Sequence, residues 1–197
     1  MASTSRVETE RPLRMRVSPD ARCPHVVFER VFGPERVAAL LDYVEARRED
    51  FRPAKIRRRA SGEGTVDTQR RNHLQIRGLG GFEDTLGGFV RSIAARMLDA
   101  LHLAEPAVEP REFDLIAYRD GDYFRAHIDT TEFTDTLFRG HAARFRRLTA
   151  ALRLVAFPSW LRHEVLPVHV PSGAWRDSRF AINCWLHRAR QAAGTPP

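Results

Sequence analysis

The sequence predicts an α+β fold in which two helices precede a β-sandwich or barrel-like core, and three observations carry that expectation. In the first half, apolar residues recur at helical spacing in two separate segments. Beyond Pro110 the period changes to two, with turn residues between the alternating stretches. The order, helices first and strands after, argues against repeating β–α units.

Residues 1–24 are polar, charged and without a sustained period, so they read as an irregular N-terminal arm. "HVVFERVF" at 25–32 reads as a strand, and Gly33-Pro34 then sets up a helix start, proline being tolerated where its missing N–H has no partner to lose. Val37, Leu40, Leu41 and Val44 form one buried face of a first helix over roughly 34–49. From Phe51 to Arg77 the chain is rich in arginine, glycine and polar residues, which predicts a mobile loop with a short strand near Leu74–Ile76. Leu86, Phe89, Val90, Ile93, Met97 and Leu101 define the second helix, which ends before "AEPAVEP".

The strand half begins with an expected strand from Glu112 to Tyr118, a turn at 119–121 and a second strand from Asp122 to His127. Residues 130–147, arginine-rich with scattered phenylalanines, read as loop. An apolar run from Leu148 to Phe157 carries no turn signal and breaks at Pro158; strands follow at 163–170 and 178–186 around a turn at 171–173. One domain over 25–188 with a tail at 189–197 is the expected organisation, since 197 residues suit a single sizeable core.

The formal charge of +7 comes from 32 basic against 25 acidic residues. A nucleic-acid protein is set aside because the arginines are dispersed and no nucleic-acid module is visible. No apolar run approaches the ~20 residues of a membrane helix, and the N-terminus has no apolar signal core. A cytoplasmic address with no membrane partner is the expectation. Cys23 and Cys184 are too few for a disulfide framework and are not spaced as a zinc site, so both read as buried or unreactive thiols.

"HID" ends the second strand, and alternation puts His127 and Asp129 on one face. A histidine nitrogen beside a carboxylate supplies two legs of a metal site; the alternative is a strand-end histidine simply paired with Asp129. With a second histidine from another strand, the set becomes the two-histidine, one-carboxylate facial triad that holds Fe(II) and leaves positions open for oxygen chemistry.

"FDLIAYRDGDYFRAHIDT", "RLVAFPSWLRHEVLPV" and "DSRFAINCWLHR" together resemble, in order, the metal-binding segments of Fe(II)/2-oxoglutarate-dependent dioxygenases of the prolyl-4-hydroxylase-like group. The resemblance implies a double-stranded β-helix, or jelly-roll, core with supporting N-terminal helices. It implies His127, Asp129 and His163 as iron ligands and Arg179 as the residue receiving the distal carboxylate of 2-oxoglutarate. Tyr118 would offer its hydroxyl to the same carboxylate, or else simply line the barrel. The cofactor set is then Fe(II), with 2-oxoglutarate and O2 as cosubstrates and ascorbate as an accessory reductant. The activity implied is hydroxylation of a small molecule or of a peptide or protein residue, prolyl by the nearest likeness, with release of succinate and CO2. His169 would lie about 20 Å along the strand from His163 and cannot share its metal. His169, His141 and His73 read as surface or loop histidines, His141 in a loop able to fold over the site.

The chain departs from this pattern in one respect. The jelly roll needs four strands between Asp129 and His163, or about 40 residues, yet only 33 intervene. One strand is visible where four are expected, so the middle strands read as missing, with a seam near Leu152 and Arg153. That loss raises a second reading, a degenerate member with impaired or no catalysis that binds or scaffolds. Exposed sheet edges would also favour a homodimer.

Overall fold

The structure, a computed structural model, describes residues 13–57, 64–103, 108–129, 136–145 and 152–188, with 136–145 described by its backbone. Among these residues thirteen strands, β1 (Arg14–Val17), β2 (Val26–Glu29), β3 (Arg52–Pro53), β4 (Lys55–Arg57), β5 (Gly64–Val66), β6 (Arg71–Asn72), β7 (Leu74–Arg77), β8 (Val108–Tyr118), β9 (Tyr123–His127), β10 (Thr136–Phe145), β11 (Leu154–Pro158), β12 (His163–Val165) and β13 (Arg179–Arg188), accompany two α-helices, α1 (Pro34–Ala46) and α2 (Phe82–Ala100). Eight strands form a large sheet in the order β1-β2-β11-β10-β13-β8-β7-β3; three form a smaller one in the order β12-β9-β6; β4 and β5 make a separate hairpin.

The two faces of the large sheet have different partners because side chains alternate along each strand. Leu115, Ala117, Phe180 and Ile182 join Leu40 and Val44 of α1 and Leu86, Val90, Ile93 and Met97 of α2 in one apolar cluster. This is the core, and the helical stripes read from the sequence face it. On the opposite face, Ile116, Tyr118 and Ala181 pack with Phe124 of β9, Val165 of β12 and Val168. The space between the two sheets lies there.

Several expectations are corrected. Residues 136–145, expected as loop, form β10, paired to β11 on one side and β13 on the other. Arg139 and Gly140 interrupt its apolar alternation, and hydrogen bonding from both neighbours supplies what local propensity does not. His141, read as a loop histidine, therefore stands in that strand, with Val155 and Asn183 as its register partners. Among the described residues two strands, not one, lie between Asp129 and His163, and both belong to the large sheet. The seam near Leu152 and Arg153 immediately precedes β11 in the β10–β11 connection.

The strand expected at 163–170 stops at Val165. Beyond it the chain is strapped to the β8–β9 turn: the Gly121 and Val168 amides donate to the Val168 and Asp122 carbonyls at 2.8 and 2.9 Å, and the Val170 amide donates to Asp120 Oδ1 at 2.7 Å. Within the arm expected to be irregular, 14–17 is an edge strand antiparallel to β2. The expected loop of 51–77 contains five short strands, including the one foreseen at Leu74–Ile76. Segment 71–77 crosses from one sheet to the other, β6 pairing with β9 and β7 with β8. Cys184 is buried as expected, whereas Cys23 is exposed. No helix among the described residues is long and apolar enough to cross a membrane.

Candidate metal centre and its surroundings

His127 and His163 are cross-strand partners at the end of the β9–β12 pair. Val165 pairs with Phe124, so two steps along β12 span three along β9. That extra residue is a β-bulge, and it turns Phe124 and His127 to the same side of the sheet, against simple alternation. Their rings are stacked, 3.6 Å between centroids and 18° between planes. The His127 and His163 rings lie 4.2 Å apart, and Phe157 of β11 lies 4.8 Å from His163. Asp129 follows the strand, its amide donating to the Ser159 carbonyl at 3.0 Å.

Hydrogen bonds orient both imidazoles. His127 Nδ1 is 2.8 Å from the Arg125 carbonyl and His163 Nδ1 is 2.9 Å from the Leu161 carbonyl. A carbonyl only accepts, so each Nδ1 carries the proton and donates, which leaves Nε2 as the ring's ligand atom. The two Nε2 atoms lie 3.4 Å from Asp129 Oδ1 and 3.4 Å from Oδ2, respectively. Ligand atoms of His127, Asp129 and His163 all fall within 4.8 Å of one another. Ring nitrogens and carboxylate oxygens gathered this closely are the geometry of a cation site. Two imidazoles presenting Nε2 and one carboxylate form a donor set suited to Fe(II), so the residues present fit that ion.

Arg179 opens β13 opposite Tyr118, the last residue of β8. Cross-strand partners share a face, and the Arg179 guanidinium lies 5.4 Å from the centre of the Tyr118 ring. Ile116, Tyr118 and Ala181 share one small buried cluster with Phe124, whose ring stacks on His127, so Arg179, two residues before Ala181, points to the same side of the sheet as the metal centre. His169 is exposed and 3.6 Å from Asp120 Oδ1, apart from the triad.

His73 overturns its reading as a surface histidine. It is 3% exposed, at the crossing between the two sheets, with its ring 4.8 Å from Tyr118 and 5.7 Å from Phe124. Arg71, two residues earlier, pairs with Phe124 and holds its guanidinium 5.2 Å from that ring's centre. Sequence reasoning missed the burial of His73, although the signal was present. Leu74 and Ile76 pack toward the helices, and alternation back from them puts His73 and Gln75 on the other face.

No family model matches the chain, and no curated protein matches it. Solved structures do. A Pseudomonas putida prolyl-4-hydroxylase superposes with a TM-score of 0.53 at 17% identity, covering 83% of this chain and 92% of that one. A viral collagen prolyl hydroxylase from Paramecium bursaria Chlorella virus-1, in complex with 2-oxoglutarate, gives a TM-score of 0.52 at 12% identity, covering 84% and 96%. Over most of its length, therefore, the chain is structurally similar to prolyl-4-hydroxylases and carries a His-x-Asp…His group in its sheet-to-sheet space.

Proposed function

We propose that the protein is an Fe(II)- and 2-oxoglutarate-dependent dioxygenase that hydroxylates a substrate C–H bond, with release of succinate and CO2. The observation that carries this reading is the convergence of His127, Asp129 and His163, with both Nδ1 protons committed to backbone carbonyls and both Nε2 atoms turned to one carboxylate. Bound there, Fe(II) would supply the oxidative chemistry with O2 and 2-oxoglutarate. His127, Asp129 and His163 would hold it on one face and leave the opposite positions open. Arg179 would take the distal carboxylate of 2-oxoglutarate in a bidentate fork, staying charged although half-buried, and Tyr118 would hold the guanidinium's face by ring contact. Val165, Phe124 and Phe157 would keep water from the ligand rings.

A second reading, binding with impaired turnover, is favoured by one observation. Among the described residues β12 is the outer strand of a three-stranded sheet, and beside it Ile128 and Trp160 are 54% and 53% exposed. Such an open site would let water compete for the metal and impair turnover.

One assay divides the readings. Anaerobic Fe(II) with 2-oxoglutarate should give a weak visible charge-transfer band that His127→Ala lacks, and admitting O2 should yield succinate. A band without succinate, or no band at all, would favour the second reading.

A further inference from the structure

The three-stranded sheet turns one face to the large sheet. Phe124 and Val165 pack there with Ile116, Tyr118 and Ala181, and His163 meets Phe157 of β11. Alternation then sends Glu164, between His163 and Val165, and Tyr123, before Phe124, to the other face. Arg125 lies in the bulge opposite Glu164 and is exposed. Tyr123, Arg125, Glu164, Leu166 and Pro167 are among the residues around a depression of about 350 Å3 on that side.

This outer face is apolar although it is open to solvent. Among the described residues five large apolar side chains are exposed, and three of them, Ile128, Trp160 and Leu166, belong here. Leu166, just past the end of β12, is 68% exposed. Ile128 stands between two inward-pointing ligands and so turns outward, and Trp160 adjoins it across the hydrogen bond from the Asp129 amide to the Ser159 carbonyl. Exposed apolar side chains gathered on one face and rimmed by charges mark an association site.

We propose that this face is covered by a second copy of the chain, the two small sheets stacking face to face about a two-fold axis. Charge selects this occupant. The chain carries a formal charge of +7, so two copies repel unless the surfaces that meet are complementary. Strands β9 and β12 present one cation and one anion outward, Arg125 and Glu164, and among the described residues neither is in an ion pair. A two-fold axis between them sets Arg125 of each copy against Glu164 of the other, which makes the patch its own complement. A partner of one net sign would oppose one of these charges with its like. Stacked sheets lie about 10 Å apart, close enough to fill the depression and bury Leu166. The second copy would also cover the flank of the metal centre at Ile128 and Trp160.

The test is sedimentation of the full chain across roughly 0.1–100 µM, the span in which a micromolar dissociation constant becomes visible. The mass should pass from one chain to two. Arg125→Glu and Glu164→Arg each put like charges in contact, and each should raise the dissociation constant at least about tenfold. An equimolar mixture of the two variants should regain the wild-type constant, because each supplies the charge that the other lacks; that recovery also shows that both are folded. Leu166→Glu should dissociate the pair with no rescue by either variant. A single-chain mass at every concentration overturns the proposal and leaves the face to a different partner. A dimer that neither reversal weakens overturns it in favour of contact at a sheet edge, and a mixture that stays dissociated overturns the two-fold pairing.

Discussion

His163 and His127 face each other across two antiparallel strands, and each fixes its ring by donating Nδ1–H to the carbonyl two residues before it. The two imidazoles thus reach the carboxylate between them already in the ligand tautomer. Replacing either with alanine removes a direct donor. Loss of an orienting partner alone typically weakens metal binding ~10–100-fold, so Fe(II) affinity should fall by more than that in His163→Ala. Titration of Fe(II) against the charge-transfer band measures it, and unchanged affinity would exclude His163 as a ligand.

Arg179→Gln should raise the concentration of 2-oxoglutarate needed for half-maximal succinate formation by about 10–100-fold, the loss expected for a charge-assisted hydrogen bond. Tyr118→Phe keeps the ring under the guanidinium and removes only the hydroxyl. Its effect should be several-fold at most if the hydroxyl contacts the cosubstrate, and nil if Tyr118 only lines the space. Steady-state kinetics in 2-oxoglutarate separate these outcomes.

His73 fills the corner between the sheets beneath Tyr118 and Phe124. His73→Ala should open a void there and cost about 2–4 kcal/mol of stability. His73→Phe, which keeps a ring of similar outline, should recover most of it. Urea unfolding provides the comparison; equal stability of the two variants would argue against a packing role.

The two thiols should behave oppositely. Cys184 is buried in β13, and burial pushes its thiol up to about 12, so at pH 8 a thiol reagent should label Cys23 at once and Cys184 only on unfolding. The sign of the pH effect follows from a folded-state value above the unfolded one, about 8.5. The contribution is complete below that value and is lost as pH rises from about 9 toward 12. Cys184→Ala should therefore show a shallower alkaline loss of stability than the wild type in pH-dependent denaturation.

What could be read in advance was whatever local periodicity writes into the chain. Val37, Leu40 and Val44, and Leu86, Val90, Ile93 and Met97, gave both helices and their buried faces. Along β13, Phe180 and Ile182 join the helical core and Ala181 the opposite cluster, as a period of two in the sequence requires. Features set by distant partners were not legible. β10 is made by its neighbours, β12 is cut short by the turn that captures the 166–170 segment, and His73 is buried because the segment carrying it changes sheets. The bulge in β9 is of the same kind, being visible only once the β12 register is known.

That bulge makes the centre asymmetrically vulnerable to genetic change. Arg125 and Ala126 are exposed, so exchanges there that keep the bulge should not alter which way His127 points. Removal of either codon would leave Phe124 and His127 two residues apart, which strict alternation also puts on one side, whereas a strand straightened at unchanged length would turn His127 to the outer surface and dissolve the triad while leaving every ligand in the gene. Whether β9 is bulged or straight across from β12, taken together with the spacing of Phe124 and His127, is thus a sharper marker of an intact centre in related chains than the presence of His127 itself.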